Sequence, residues 1–141
     1  MDLRHVALGE GWSLVIDSDF HRAVNPDGSL SAWDDDRTID IHVSRVETVG
    51  GHLVPPREML GMPAHDQHLY HREEARLEGY ADLRQDSDKS GPIFRLATTT
   101  ASDNRLISVW CAFRDMKHLE WALDTWNSIR HDGSPVPALH E

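Results

Sequence analysis

Three histidines, His65, His68 and His71, stand at i, i+3 and i+6. If Ala64 to Arg72 is helical, they occupy an arc of about 120°. Imidazole nitrogen is a zinc ligand, so His65 and His68 could approach a common ion, with Asp66 beside them. The third is poorly aimed at that ion, and neither a Glu-containing zinc-protease motif nor paired cysteines accompany it. Two readings stay open. The spacing favours a polar, solvated helix in a chain with ten histidines; the alternative is a metal-binding protein or metal-dependent enzyme built on His65, His68 and His71.

Asp86, Asp88, Ser90 and Gly91 match the opening of a calcium loop, where alternating oxygens chelate and glycine permits the bend. Position twelve of that loop is Ala97 where a bidentate Glu is required, so a plain turn is expected. Asp34-Asp35-Asp36 reads as a solvated strand end rather than a magnesium site. Cys111 lies among Val109, Trp110, Ala112 and Phe113. A thiol desolvated by such neighbours is a poor thiolate, so it reads as packing. The chain contains no Gly-rich phosphate loop, nucleophile elbow or dinucleotide fingerprint. Catalytic activity is therefore not the favoured reading, and no cofactor is expected.

Two tryptophans point to contact chemistry instead. On a helix over the last third of the chain, Trp121 projects about 200° from Leu119 and away from the apolar stripe. An exposed indole is the kind of residue that anchors interfaces, unless the Pro135 to Leu139 tail folds back over it. Trp33 falls opposite Leu30 and Ala32 on the other face of a strand, where a helix from the 56 to 72 region would cover it.

Charge narrows the partners. Lys and Arg number 14 against 24 Asp and Glu, a net of −10 over 141 residues with histidine neutral. Nucleic acid and anionic membranes are bound through clustered cations, and Arg105, Arg114 and Lys117 are diluted by Asp103 and Asp115. Neither partner is expected. With all ten histidines protonated the sum becomes 14 + 10 − 24 = 0, so the charge should vanish as pH falls toward about 5. No apolar run reaches the ~18 residues of a membrane span, and the first residues lack the charged and apolar regions of a secretory signal. One cysteine cannot form an internal disulfide. A cytoplasmic protein is expected.

The elements that must position these residues follow from periodicity. Trp12, Leu14 and Ile16 alternate with polar partners, as do Ile39, Ile41 and Val43 within Thr38 to Val46, which is the period of half-buried strands. Asn25-Pro26-Asp27-Gly28 marks a turn before a strand at Leu30 and Ala32. Pro55, Pro56 and Pro63 exclude regular pairing between Gly50 and His71 and predict a broken helical connection. Alternation returns from Ala75 to Leu83. Ile93 to Thr100 and Leu106 to Phe113 read as a hairpin, the second strand central because both its faces look apolar. Asp115 then caps a helix whose Met116, Leu119, Ala122, Leu123, Trp126 and Ile129 fall on one stripe of about 140°. Gly133 suits its C-terminus, and the Pro135-Val136-Pro137 tail is extended.

Gly11-Trp12-Ser13-Leu14, Asp27-Gly28-Ser29-Leu30 leading into Arg37-Thr38-Ile39-Asp40-Ile41, and Trp121 to Arg130, taken in this order of elements, resemble the PsbP-like superfamily, which includes Ran-binding Mog proteins, DcrB-type proteins and Eag chaperones. The resemblance covers most of the chain and carries no catalytic signature. It implies an antiparallel sheet sandwiched by helices, an α/β/α arrangement, and an activity that consists of binding another protein. The combined expectation is one α+β domain over 1–141 that acts as an adaptor or chaperone-like module. It would bind another protein, or a second copy of itself, through a sheet face or the Trp121 region.

Overall fold

The computed structural model describes residues 3–45, 60, 69–74, 77–102 and 104–131. Two antiparallel sheets account for most of them. The smaller contains β1 (Leu3–Gly9), β2 (Trp12–Asp17) and β10 (Arg130–His131), in the order β1-β2-β10. The larger has seven strands: β3 (His21–Val24), β4 (Leu30–Trp33), β5 (Arg37–Arg45), β6 (Leu69–Glu74), β7 (Leu77–Asp88), β8 (Gly91–Ser102) and β9 (Arg105–Phe113). Their order is β3-β4-β5-β9-β8-β7-β6. A single 3-10 turn (Met116–His118) runs into α1 (Leu119–Asn127), the one α-helical element with defined ends among the described residues.

Local chemistry accounts for the joints. Gly28 closes the β3–β4 turn at φ +88°, donating its N–H to the Asn25 carbonyl at 2.9 Å, while the Asp27 carboxylate accepts from the Ser29 amide and hydroxyl. A side chain at that φ would be strained. β9 pairs with β5 on one side and β8 on the other, so Ile107, Val109, Cys111 and Phe113 fill the middle of the inner face. The small sheet and α1 lie over that face. Trp12, Leu14 and Ile16 of β2, Ala122 and Trp126 of α1, and Ile129 just beyond it join Ile39, Ile41 and Leu96 in one continuous core.

Three hydrogen bonds fix how α1 lies on this sheet. The buried Trp126 indole donates from Nε1 to Thr100 Oγ1 at 2.9 Å. Arg72, buried on β6, donates from Nη1 to the Trp126 carbonyl at 2.5 Å and from Nη2 to the Ile129 carbonyl at 3.1 Å. It thereby adds a charged donor to two carbonyls at the end of α1 that also accept from the Ile129 amide at 3.2 Å and from Arg130 Nη1 at 2.7 Å. Burial pulls the Arg72 guanidinium below the ordinary arginine range, and its contact with Glu74 works against that shift.

The architecture departs from the sequence reading in several places. Helical cover over both faces of the sheet is not seen among the described residues; one short helix covers one face. The segment expected to stay helical through His71 is strand from Leu69. The periodicity gave no warning because Tyr70, Arg72 and Glu74 share a face with only one apolar member. Met116 belongs to the 3-10 turn and is 43% exposed, so the buried stripe begins later. Asp115 caps as expected, accepting from the Lys117 amide. The helix ends at Asn127, well short of Gly133, because the chain turns back to pair β10 with β2. On β9 the second face is open, with Trp110 41% exposed. Most of the expected helical connection, at 50–59 and 61–68, lies outside the described residues.

Candidate functional site

Arg37 opens β5 in register with Ile39 and Ile41, both buried, so the two-residue period aims its side chain toward the core. A charge so placed needs partners. Its Nη2 lies 2.9 Å from Asp17 Oδ2, at the end of β2, and 2.6 Å from Asp34 Oδ2, which also accepts from Nε at 3.1 Å. Asp34 Oδ1 accepts the backbone N–H groups of Asp36 and Arg37 at 2.9 and 2.7 Å. The guanidinium carbon sits 4.8 Å from the centroids of both the Phe20 and Trp121 rings, which are 5.9 Å from each other. Arg37, Phe20 and Trp121 thus form a triangle in which one cation meets two aromatic rings.

Electrostatics lock this arrangement. Burial disfavours the Arg37 charge, but the two carboxylates outweigh it and raise the guanidinium above its ordinary value. Burial likewise opposes ionisation of Asp34, yet the hydrogen bonds from Arg37 and the two amides hold its carboxyl below the usual range.

Trp121 leans from α1 across this cluster and forms one wall of a groove of about 650 Å³. Leu3, Val15 and Ile16 supply further apolar wall, and Asp36, Lys117, Glu120 and Asp124 stand along the lining. Trp121 Nε1 is buried and finds no acceptor among the described residues. A smaller cavity of about 310 Å³ shares Asp34, Asp36, Arg37, Lys117 and His118 with it. Here the sequence expectation for Trp121 changes character. The indole is half-buried against the core, because Phe20 and Arg37 lie beneath it. Its ring forms one wall of the groove, and its Nε1 is closed to solvent.

Trp33 lies on the opposite face of the large sheet, 38% exposed and 5.8 Å from the His21 ring. It is not brought near Trp121's groove. Of the 56 to 72 region expected to cover Trp33 as a helix, 69–72 is strand, and 56–59 and 61–68 lie outside the described residues.

Of the three histidines, His65 and His68 also lie outside the described residues. His71 is on β6, with Nε2 2.9 Å from Glu78 Oε2 and its ring stacked on Tyr80 at 4.7 Å. Its strand geometry removes the helical arc on which a shared ion was reckoned. Among the described residues no three His, Cys, Asp or Glu groups are disposed to hold a metal. Asp86 and Asp88 are in β7, and the Asp88 carboxylate is gripped by both Arg114 Nη atoms at 3.0 and 2.5 Å. That segment is a hairpin end. Cys111 is fully buried; desolvation, with the Asp40 charge adding to it, pushes its thiol up to about 12.

Sequence reasoning passed over Arg37, Asp17 and Phe20. One signal was available: counting back by two from Ile41 through Ile39 reaches Arg37, so an arginine on a core face demanded a buried carboxylate. Asp17, next to the buried Ile16 at a strand end, is that carboxylate.

No family model and no curated protein matches the sequence. Solved structures do. The solution structure of cyanobacterial PsbP (CyanoP) from Synechocystis sp. PCC 6803 aligns at a TM-score of 0.70 and 12% identity, covering 92% of each chain. A crystal structure from Bacteroides thetaiotaomicron VPI-5482 aligns at 0.63 and 12% identity over 93% of this chain; the chain spans only 49% of that protein's length. The fold is PsbP-like, as the order of elements implied. No helix among the described residues is long and apolar enough to cross a membrane.

Proposed function

We propose that this chain is a non-enzymatic protein-binding module that receives a partner in the groove beside Trp121. The observation that carries the reading is the Trp121 indole itself. It is fixed in place by Phe20 and Arg37, it walls an apolar groove, and it holds a buried N–H that no described residue accepts. An unmade buried hydrogen bond costs about 1–3 kcal/mol, and an arriving acceptor recovers it. Tryptophans in such settings are frequent binding hot spots. The ion pairs around Arg37 hold its charge inside a structural triangle, which suits a binding wall better than a reacting group.

The test has two stages. The intact chain and its Trp121→Ala variant are used to capture proteins from the native host, and any protein retained only by the wild type is purified and titrated against both by calorimetry. A loss of at least about tenfold in affinity, the scale of a hot-spot truncation, supports the reading. Equal affinity for both chains refutes it. A cytoplasmic home belongs to the same proposal and rests on the one free, buried cysteine; fractionation of the native host checks it.

A further inference from the structure

We infer that the groove beside Trp121 selects a basic peptide segment of its partner, one apolar side chain flanked by Lys or Arg, with a main-chain carbonyl accepting from Trp121 Nε1. The inference rests on the groove being the docking site and adds the chemistry of its occupant. The argument begins with charge. Five carboxylates line the groove, Asp17, Asp34, Asp36, Glu120 and Asp124, against two permanent cations, Arg37 and Lys117. Arg37 is already committed to Asp17 and Asp34. That leaves exposed Asp36, Glu120 and Asp124 opposite Lys117, which itself stands 3.9 Å from Asp115 outside the groove. His118 becomes cationic only when protonated. The unneutralised field is negative, in a chain whose net charge is −10, and it favours an incoming cation and repels an acidic segment.

Shape and hydrogen bonding narrow the ligand further. The groove offers apolar wall from Leu3, Val15, Ile16 and Trp121, which matches one inserted aliphatic or aromatic side chain. The buried indole donor requires an acceptor that arrives with the ligand. Every peptide carries a carbonyl at each residue, so an extended segment can supply the acceptor beside its anchor without a special side chain. A free fatty acid would meet the apolar wall but bring its carboxylate against Glu120 and Asp124. Duplex nucleic acid would bring far more negative charge.

A random peptide-display library panned on the full chain tests this. The expected winners contain an apolar anchor with Lys or Arg beside it. Their affinity should fall by at least about tenfold on the Glu120→Lys/Asp124→Lys chain and fall with rising salt, as rim charge pairs do. Trp121→Phe, which keeps a ring and removes the donor, should weaken them by about threefold to tenfold. Asp86→Lys, a reversal at an exposed carboxylate in β7, serves as the control and should change nothing. Acidic or uncharged winners, no winners, or winners indifferent to the double reversal overturn the inference. Uncharged winners that still need Trp121 would overturn the charge selection and leave the groove standing; winners indifferent to Trp121→Ala would remove the groove itself.

Discussion

Arg72→Met is the substitution that tests most directly how the helix is held. The long methionine stem preserves most of the volume, so little cavity forms, but both donors to the Trp126 and Ile129 carbonyls disappear. Both residues are buried, and water has poor access to replace those bonds. Neither carbonyl is left bare, because Trp126 keeps the Ile129 N–H at 3.2 Å and Ile129 keeps Arg130 Nη1 at 2.7 Å; each lost bond from the charged guanidinium therefore costs about 1–1.5 kcal/mol, giving about 2–3 kcal/mol for the two. The partner Glu74 is 43% exposed, so its freed carboxylate is re-solvated and adds about 0–1 kcal/mol at most. Relief of burying a guanidinium acts in the opposite direction and is the reason the total is set near 2–3 kcal/mol rather than higher. For a chain of this size the shift in Tm is about 3 °C per kcal/mol, hence about 6–9 °C. Urea unfolding followed by Trp fluorescence should show a lower midpoint with an unchanged slope. Arg72→Lys keeps the charge and one donor direction and should fall between. A Met variant as stable as the wild type would refute the claim that the carbonyls, rather than apolar packing alone, tie α1 to β6.

Three further outcomes follow from the same geometry. A Cβ at Gly79 would stand 2.8 Å from Thr100 Oγ1 and 2.9 Å from the Thr99 carbonyl. Because Thr100 is already engaged by Trp126 and backbone cannot yield cheaply, Gly79→Ala should destabilise by about 1–3 kcal/mol in urea unfolding. Asp34 has a folded pKa below its ordinary 3.8, so its stabilisation is present above that value and is lost as pH falls through the depressed one. Acid unfolding between about pH 5 and 2 should accordingly be shallower in Asp34→Asn, and an unchanged profile would contradict the role given to the Arg37 contact. Cys111, with its thiol raised to about 12 from 9.0, should resist iodoacetamide at pH 8 in the folded chain and react once urea unfolds it; rapid labelling of the native chain would contradict its burial.

How much of this was legible in the sequence depended on whether the signal was local. The alternation at Trp12 to Ile16 and Thr38 to Val43, the Asn25 to Gly28 turn and the Asp115 cap are decided within a few residues, and each stands in the structure. β6 was hidden because the residue it buries is Arg72, between half-buried Tyr70 and exposed Glu74: such a strand looks like a solvated segment until a helix end arrives from more than fifty positions away to accept from Arg72. The groove was half legible. Trp121 was singled out by its angle on the helix, but Asp17 and Phe20 come from the end of β2 and the turn after it, Arg37 comes from β5, and they meet beneath Trp121 only after the small sheet is laid over the large one. Trp110 shows the reverse error: apolar neighbours in sequence suggested burial on both faces, and register puts it on the open one, between Asp40 and Ala97.

Two inward-facing arginines, Arg72 buried and Arg37 partly so, divide the labour of this fold. Arg72 faces helix carbonyls, which are partial charges fixed within the chain, and its effect is to fasten α1 to β6. Arg37 faces Asp17 and Asp34, whose full charges cancel its own, and its effect is to hold two rings at a set angle beside a groove. The first cation reinforces carbonyls that already accept from the Ile129 amide and Arg130. The second completes an ion-pair inventory but leaves one indole donor unmatched. In the docking role proposed above, the rigidity that neutralised charge gives Trp121 would let a partner bind without first ordering the side chain.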